Sequence, residues 1–520
     1  VRRSLWLACL VLALVGVFAR GAGVSGPPIA ITEHRRASRL PSVGVLVAAF
    51  GTGFAFFLSE LVWYRLLAPL LGGSTYSFGI ILTVALLGIG GGAALYAFLG
   101  PVRPTPGRFA TTCALQAALL VLPFALGDDL ALFAYHLREF GQHSFLGLAF
   151  SWVSVATIIV LPVALVSGYQ FPLLLGLAGE AQDGVGEDTG AVYAANTFGA
   201  IVGSFLGGFG AMPMLGALGS WRLAAMVLLL VGVPFVVRAV SRERTRVALA
   251  ASLVVVTLVL ASAPGPGAVW RHSAIGSGRA SFRADNWNLR QEMLLAARRG
   301  MLEEHDGVEA SLAFQAGYGV SLITNGKSDG SSIADALTQV GFGILAALVH
   351  GHAEKAYVIG LGTGQSAGWL AEVPGMKSVE VVEIEPQVLR YADLVKDTNR
   401  DVLHHPKVTV TVGDGRETRP VGVRLDVGLV AGGHRRHRQA QLFGRVRRAD
   451  RVEQRRRGER RVLRVALLAD VLLLELRPVD ELLFDGRRPT PGPGRTSRSL
   501  LVDLRHDART LLHFFLFAAS

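Results

Sequence analysis

Long apolar runs separated by short polar loops fill the first half of the chain. An α-helix rises about 1.5 Å per residue, so about 20 apolar residues cross a hydrocarbon layer about 30 Å thick. Runs of that length occupy residues 43–71, 77–99, 109–127, 146–178, 192–216, 220–237 and 247–263. The run 146–178 contains two prolines and is long enough for a broken helix or a tight hairpin. The pattern predicts a polytopic helical membrane domain over 43–270 with seven or eight spans.

The segment 1–42 has the pattern of a targeting sequence or an anchor. An apolar run at 5–18 follows Arg2 and Arg3 and precedes small residues at 21–23. This order is typical of a signal peptide and also of a short membrane anchor. Both interpretations stay open.

Arginines beside the spans bear on orientation. Three of them before the first span, and Arg103 and Arg108 after the second, favour the cytoplasm under the positive-inside rule. A further group between 238 and 246 favours the cytoplasm as well, and the groups conflict for either span count. We expect a multi-pass protein of the cell inner (plasma) membrane, partnered by the lipid bilayer, with its soluble domain in the cytoplasm.

Composition agrees with a chain divided between lipid and water. Hydrophobic residues make up 51% of it and charged residues 17%, with a mean hydropathy of +0.44. These values argue against an ordinary soluble enzyme as the interpretation of the whole chain. The net charge of +12 divides into +5 for 1–270, −4 for 271–418 and +11 for 419–520. Because the tail holds nearly all of this basicity, the charge predicts no nucleic-acid partner. The two cysteines, Cys9 and Cys113, lie in apolar runs and support neither a disulfide framework nor a cysteine metal site.

Two features inside the apolar runs stand out. Gly199, Gly203 and Gly207 recur every four residues on one helix face, which predicts close helix packing. Glu60 lies in an apolar run, where a carboxylate at the helix centre costs at least about 2.5 kcal/mol. It either snorkels to the interface and pairs with Arg65 or faces a wet, functional cavity.

A soluble domain is expected after the Pro-Gly-Pro-Gly run at 264–267, where apolar runs shorten and acids appear. Residues 308–314 and 319–324 alternate as two short strands, and the Asn325-Gly326 pair supplies the positive φ of a tight hairpin turn. A helix is predicted from Ser332 to Val349, capped by Ser331 or Ser332. These elements predict a small β part at the start of the domain.

A glycine-rich turn follows the next apolar strand, at 356–359. Gly360, Gly362 and Gly364 stand between this strand and a predicted helix. Glycines suit such a turn because a Cβ would block close approach of a nucleotide to backbone N–H groups at the helix N-terminus. Alone, the signal is weak, since glycine turns after strands are common.

Two acids strengthen this interpretation. Glu383 ends the apolar run of a strand at 379–386, 19 residues after Gly364, where a carboxylate can accept hydrogen bonds from ribose hydroxyls. A third strand, 408–412, leads into Asp414, whose carboxylate could accept from an adenine amino group. The carboxyl ends of parallel strands lie at one edge of a sheet, so the glycine turn, Glu383 and Asp414 are expected together there. Glu385 is the alternative ribose ligand, and Asp414 before a glycine could instead simply build a turn.

Other site types are weaker. Gly362, Gly364 and an alanine three residues later, with Glu383 beyond them, fit a dinucleotide pattern loosely. The second acid, Asp414, favours a single nucleoside, because the dinucleotide fingerprint does not require it. His404 and His405 are adjacent, have no third ligand nearby and are interpreted as part of a loop, so no metal is predicted.

The soluble half contains, in this order, Asn325-Gly326-Lys327-Ser328-Asp329, Asp335, Gln339, Gly360-x-Gly362-x-Gly364, Glu383 and Gly413-Asp414-Gly415-Arg416. With the segments 60–65 and 190–197 of the apolar half, these residues resemble the spermidine synthase (polyamine aminopropyltransferase) family. The resemblance is closest to the bacterial branch that carries a multi-helix membrane domain ahead of the synthase domain. It covers roughly residues 43–427.

The resemblance implies a class I methyltransferase-like or spermidine synthase-like, Rossmann-like α/β domain over 271–427. Its co-substrate would be decarboxylated S-adenosylmethionine or S-adenosylmethionine itself, and no metal is implied. Glu383 would hold the ribose and Asp414 the adenine. A small-molecule amine such as putrescine would be the second substrate. The residues implied beside the nucleoside are also Gly360, Gly362, Gly364 and Gly415, and those implied beside the amine are Asp335 and Gln339.

Two parts of the family's amine site are missing from the chain. The family has an acid after its fourth strand, in a segment of the type Asp-x-x-Asp-Pro, whereas the strand at 425–430 here runs into Ala431-Gly432-Gly433. The family's Tyr-His-Glu is replaced by Gln339-Val340-Gly341. No catalytic residue is therefore assigned, and cofactor binding is better supported than aminopropyl transfer.

The tail 428–520 has an anomalous composition. Residues 419–520 contain 22 Arg but no Lys, Ile, Met, Asn, Tyr, Trp or Cys. One hypothesis is a frameshift near Gly428 in GC-rich DNA, which would leave the nucleoside-binding domain incomplete. The alternative is a genuine basic appendage that binds acidic lipid or nucleic acid. Translating the gene in all three frames past Gly428 decides between them: the frameshift hypothesis fails if no other frame restores a strand that ends in an acid.

Taken together, the sequence favours a membrane-anchored, spermidine synthase-like protein that transfers an aminopropyl group to a polyamine if it is active. A methyltransferase dependent on S-adenosylmethionine, a transporter with a nucleoside-sensing domain and a non-catalytic remnant stay open as alternatives. A homodimer is compatible with the sequence, which does not fix the oligomeric state.

Overall fold

The computed structural model describes residues 42–99, 103–142, 144–178, 185–280 and 286–417. All of them belong to one unit of the chain, Val1–Gly432. Nearly all of the 1–42 segment, the strand expected at 425–430 and the arginine-rich tail lie outside the described residues. What the sequence predicts for those segments therefore stays a prediction.

Helices fill the first half because an apolar chain without water partners must pair its own backbone N–H and C=O groups. In chain order they are α1 (Val43–Leu71), α2 (Thr75–Phe98), α3 (Pro106–Leu126), α4 (Asp128–Leu137), α5 (Phe145–Ala178), α6 (Val185–Leu206), α7 (Met212–Ala239) and α8 (Arg244–Ala261). Each apolar run predicted from the sequence falls on this helical structure. The short helix α4, with Asp128 and Asp129 in its first turn, is an addition to the helices expected from the apolar runs.

Six helical stretches among the described residues are long and apolar enough to cross a membrane, with α6 and α7 counted as one stretch of 54 residues. That stretch contains a π-helical turn, Gly207–Ala211, and bends at Gly216, whose φ of 69° is not helical. By contrast, α5 is a single helix of 34 residues with both prolines inside it. The prediction of seven or eight spans stays a prediction.

Small residues let α6 lie directly against α1. A Cβ added to Gly199 would come within 2.0 Å of the carbonyl oxygen of Phe50, and one added to Gly203 within 2.4 Å of that of Phe54. Gly207 continues the same face toward α1. The spacing of the three glycines therefore serves the close helix packing predicted from the sequence.

One buried tryptophan joins helices within the bundle, and another joins the segment after α8 to it. The indole N–H of Trp221, on α7, donates to the carbonyl oxygen of Leu120 at 2.8 Å. The indole N–H of Trp270 donates to the carbonyl oxygen of Leu66 at 2.6 Å. Because these indoles are buried, the bonds satisfy their only polar atoms. Trp270 lies in the short helix α9 (Ala268–His272), which the bundle therefore holds in place.

A four-stranded antiparallel sheet follows the helix α10 (Trp287–Arg299). Its strands, in spatial order, are β1 (Met301–Asp306), β2 (Ser311–Gly317), β3 (Gly319–Thr324) and β4 (Lys327–Ser331). The turn between β3 and β4 is formed by Asn325, with φ 49°, and Gly326, with φ 76°, as the sequence predicts. Neither α10 nor β1 is predicted, because the strand sequence Met-Leu-Glu-Glu-His-Asp has no apolar alternation.

Three parallel strands form a second sheet in the order β5 (Lys355–Ile359), β6 (Ser378–Glu383), β7 (Val408–Val412). The helix α11 (Ala336–His350) precedes β5, while α12 (Gln365–Ala371) follows β5 and α13 (Gln387–Leu394) follows β6. This alternation is typical of a Rossmann-like domain and brings the carboxyl ends of the strands to one edge. α11 starts at Ala336 instead of Ser332, with Asp335 and not Ser331 or Ser332 as its N-cap residue. Ser331 still belongs to β4, and residues 332–335 form the turn between them.

Charged residues of both halves meet where β1 lies against the bundle. Arg271 of α9 is 6% exposed and donates to Glu304 at 2.6 Å and to Asp306 at 3.0 Å. Asp306 also accepts the backbone N–H of Ala217 at 2.8 Å, just after the bend in α7. Burial acts to raise the pKa of Asp306, but Arg271 and two hydrogen bonds lower it below its usual value. Asp306 therefore joins the sheet to the bent helix as a carboxylate.

Replacing Gly199 by Ala should destabilise the bundle by about 1–3 kcal/mol, because the added methyl group meets a backbone carbonyl that cannot rotate away. Thermal unfolding of the full chain in detergent measures the change. Gly190→Ala on the same helix is the matched control, since a Cβ there meets nothing within 4 Å. Equal stability of the two variants would contradict the packing described here.

His272 should make stability depend on pH. Burial, and next the neighbouring charge of Arg271, lower its pKa to about 3, and Glu304 is 3.6 Å away, too far for a strong hydrogen bond. The unfolded histidine takes up a proton near pH 6.5, whereas the folded one stays neutral down to about pH 3. The contribution of His272 to the free energy of unfolding is therefore complete above pH 6.5. Between about pH 6.5 and 3 the free energy of unfolding should fall with decreasing pH by up to about 1.4 kcal/mol per pH unit.

Chemical denaturation between pH 7 and 4 tests this expectation. His272→Gln cannot titrate, so its unfolding free energy should fall less steeply with decreasing pH than that of the wild type. Parallel pH profiles for the two proteins would show that His272 does not titrate as its burial requires.

Candidate functional site

Glycines in left-handed conformations build the turn after β5. The φ angles are 88° at Gly360, 55° at Gly362 and 77° at Gly364, a region that other residues rarely adopt. A Cβ added to Gly362 would meet no atom within 4 Å, so the backbone there borders open space. Gly364 is the N-cap residue of α12. The turn therefore presents bare backbone at the start of a helix, as the sequence predicts.

Glu383 fixes this turn to the neighbouring strand. It is the last residue of β6 and is 7% exposed. Its Oε2 accepts the N–H of Leu361 at 2.7 Å, and its Oε1 accepts the N–H of Glu385 at 3.0 Å. Since a carboxylate has about four acceptor positions, these two bonds leave capacity for a further donor.

The alternative acid, Glu385, faces a different part of the molecule. It is 5% exposed, and its Oε2 has no hydrogen-bond partner in the part of the chain that the structure describes. A Cβ added to Gly307 would lie 2.1 Å from that oxygen, so Glu385 packs against the turn between β1 and β2. Of the two acids, it is Glu383 that lies at the glycine turn.

The register of the parallel sheet places Asp414 next to Glu383. Glu383 pairs with Val412, and the N–H of Gly413 donates to the carbonyl oxygen of Glu383 at 2.8 Å. Asp414 follows directly, at the carboxyl edge of β7. The carbonyl oxygen of Gly415 accepts the hydroxyl of Tyr357 at 3.0 Å, which ties this segment back to β5.

Arg416 engages the carboxylate of Asp414. Its Nε lies 3.0 Å from Oδ1, and its backbone N–H donates to the same oxygen at 2.9 Å. These hydrogen bonds lower the pKa of Asp414 to about 2, so the group is ionised at neutral pH. The side chain of Arg416 is 88% exposed. A ligand that bonds to Asp414 would therefore share the carboxylate with a solvent-exposed arginine.

The two residues expected beside an amine both lie at the end of β4. Asp335 accepts the N–H of Ser331 at 2.7 Å, and its carbonyl oxygen accepts the N–H of Gln339 at 3.0 Å. A Cβ added to Gly330, the residue before Ser331, would lie 2.2 Å from Nε2 of Gln339. The side-chain oxygen of Gln339 also accepts the hydroxyl of Thr363, so Gln339 lies between β4 and the glycine turn.

Asn399 supports the glycine turn although the sequence does not predict it. Asn399 is fully buried, and its Nδ2 donates to the carbonyl oxygens of Thr363 at 2.9 Å and Ala392 at 2.8 Å. It lies in an irregular segment after α13 with no motif around it, so no local pattern could have indicated this contact.

The adjacent histidines lie in the turn before β7, as expected. Nδ1 of His404 is 2.9 Å from Asp401. Within the described ranges, no group of three His, Cys, Asp or Glu side chains could hold a metal ion.

No family model matches the chain, and no curated protein sequence matches it. Among solved structures it is similar to a spermidine synthase in complex with the transition-state analogue AdoDATO and to the spermidine synthase from Thermotoga maritima. Each is 14% identical, with a TM-score of 0.21, over 22% of this chain and 42% of that chain. The chain thus spans less than half the length of these two structures.

If the glycine turn binds a nucleoside, as the sequence predicts, Gly362→Ala should weaken binding of S-adenosylmethionine while altering folding no more than Gly375→Ala. Both glycines are left-handed, with φ 55° and 91°, and a Cβ on either meets nothing within 4 Å. The backbone cost of about 1–2 kcal/mol is therefore shared. Only at Gly362 would the methyl group occupy space beside the glycine turn.

Titration with S-adenosylmethionine and thermal unfolding of both variants measure the difference. Equal affinities in the two variants would show that no ligand approaches the backbone at Gly362.

Proposed function

We propose that the chain binds an adenosyl sulfonium nucleoside, either decarboxylated S-adenosylmethionine or S-adenosylmethionine, at the carboxyl edge of its parallel sheet. The observation that carries this proposal is the buried carboxylate of Glu383, fixed by the N–H groups of Leu361 and Glu385. A carboxylate held in this way is preorganised to accept from ribose hydroxyls. The open backbone at Gly362 leaves room for the nucleoside to approach.

The adenine would lie toward β7. Asp414 is ionised at neutral pH and can accept a hydrogen bond from an exocyclic amino group. Its bonds to Arg416 are not an obstacle, because a carboxylate oxygen accepts more than one donor and Arg416 is exposed. Gly415, tied to Tyr357, would keep this edge in place.

The reaction proposed for the bound nucleoside is aminopropyl transfer to a small amine such as putrescine. The amine nitrogen donates its lone pair to the carbon beside the sulfonium, the C–S bond breaks with its electrons moving to sulfur, and the nitrogen loses a proton. An ammonium has no lone pair, so a carboxylate must hold the amine and accept that proton. Gln339 and Asp335 are proposed for amine binding, and the proton acceptor stays unassigned.

Methyl transfer is the runner-up, because the same attack on the methyl group of S-adenosylmethionine has the same electron flow. The apolar helices α1 to α8 are proposed to hold the protein in the inner (plasma) membrane, with the nucleoside domain in the cytoplasm. A transporter with a nucleoside-sensing domain would use the same site without turnover.

Titration of the purified full chain with decarboxylated S-adenosylmethionine, S-adenosylmethionine and NAD tests the proposal. Glu383→Ala and Asp414→Ala should each weaken binding by about 1–3 kcal/mol, because charge-assisted hydrogen bonds are lost. Glu380→Ala is the matched control, since Glu380 is an exposed acid on the same strand and its loss should leave the affinity unchanged.

Turnover of putrescine with the decarboxylated nucleoside would support aminopropyl transfer, and binding without turnover would support the sensor. Unchanged affinity in both Glu383→Ala and Asp414→Ala would reject the site, and a preference for NAD would reject the single-nucleoside assignment.

A further inference from the structure

An arginine of the helical bundle reaches across to the antiparallel sheet. Arg65, near the carboxyl end of α1, donates from Nη1 to the carbonyl oxygen of Gly307 at 3.1 Å and from Nη2 to that of Val308 at 2.8 Å. The carboxylates of Asp306, Glu385 and Glu309 stabilise its positive charge electrostatically. α1 therefore holds the turn between β1 and β2 by two charge-assisted hydrogen bonds.

The turn between β1 and β2 packs on Glu385. A Cβ on Gly307 would lie 2.1 Å from Oε2 and 2.4 Å from the carboxyl carbon of Glu385, so only a glycine lets the turn approach this closely. The same Oε2 is buried and has no hydrogen-bond partner among the described residues. A buried carboxylate oxygen without a donor depends on nearby positive charge, and Arg65 interacts electrostatically with Glu385.

The backbone of Glu385 is hydrogen-bonded directly to the carboxylate of Glu383, the proposed ribose ligand. Its N–H donates to Oε1 of Glu383 at 3.0 Å, while Oε2 of Glu383 accepts the N–H of Leu361 at 2.7 Å. A displacement of the backbone at Glu385 must therefore move the carboxylate of Glu383, the glycine turn, or both. The contacts run without a gap from α1 to the proposed ribose ligand.

We propose that Arg65 is a positioning residue through which the helical bundle sets the geometry of the nucleoside site. A shift of α1 moves the turn at 307–308, the turn moves Glu385, and Glu385 moves Glu383. Because coupling is reciprocal, nucleoside binding also biases the position of α1. This regulation rests on the proposed function, since it acts on the same carboxylate.

Amide hydrogen exchange of the ligand-free full chain tests the coupling without any ligand. Arg65→Gln should speed exchange at the N–H groups of Leu361 and Glu385 by roughly threefold or more, because both donate to Glu383. Arg222→Gln is the matched control, since Arg222 also lies in the bundle and donates to two carbonyl oxygens, of Ala261 at 3.0 Å and Ala263 at 2.8 Å. It should leave both amides unchanged.

Two further variants separate positioning from general damage. Arg65→Lys keeps the charge but not the two-pronged geometry, so its exchange rates should lie between those of the wild type and Arg65→Gln. Gly307→Ala pushes on Glu385 while leaving α1 intact, and it should speed exchange at the same two amides.

The affinity for decarboxylated S-adenosylmethionine gives the second measurement. Arg65→Gln should weaken it by roughly three- to tenfold, and Arg222→Gln should not change it. If the wild type binds no adenosyl ligand, the proposed function fails, and hydrogen exchange still decides the coupling. Unchanged exchange at Leu361 and Glu385 in both Arg65→Gln and Gly307→Ala, or equal effects of Arg65→Gln and Arg222→Gln, would overturn it.

Discussion

The carboxylate of Glu383 is the interaction on which the nucleoside domain depends. A buried charge must be satisfied by donors, and Glu383 finds two backbone N–H groups, those of Leu361 and Glu385. One bond fixes the glycine turn after β5, and the other fixes the chain after β6. The turn needs left-handed backbone at three glycines, which a carboxylate at the strand end helps to hold. The carboxylate of Glu383 therefore both stabilises the glycine turn and is proposed to bind the ribose.

A set of charged residues joins this domain to the apolar helices. Arg271 bonds to Glu304 and Asp306, and Asp306 also caps the bent helix at Ala217. Arg65 adds bonds to the turn at 307–308. The side chains of Arg271 and Asp306 are buried, and buried charges are costly unless paired, so this ion pair defines how the two elements meet. We therefore propose that the helices do more than anchor the protein, because Arg65 of α1 contacts the turn that packs on Glu385.

The local patterns predicted their elements well. The apolar runs became helices, Asn325 and Gly326 formed the hairpin turn, and Glu383 ended its strand at the glycine turn. Contacts between residues far apart in the chain were not predicted. The charged sequence of β1 reads as a loop until Arg271 is placed beside it. Arg65, one of two alternatives considered for Glu60, donates to a carbonyl oxygen 242 residues away. Glu383, favoured in the sequence because it ends the apolar run, lies at the glycine turn, whereas Glu385 packs against Gly307, which no sequence pattern connects to it.

The role proposed for Glu383 can be tested by determining a structure of the full chain with decarboxylated S-adenosylmethionine. We predict both ribose hydroxyls within about 2.6–3.2 Å of the carboxylate oxygens of Glu383, with the adenosine beside Gly362. A nucleoside bound at another edge of the molecule, or ribose hydroxyls held by groups other than Glu383, would contradict it.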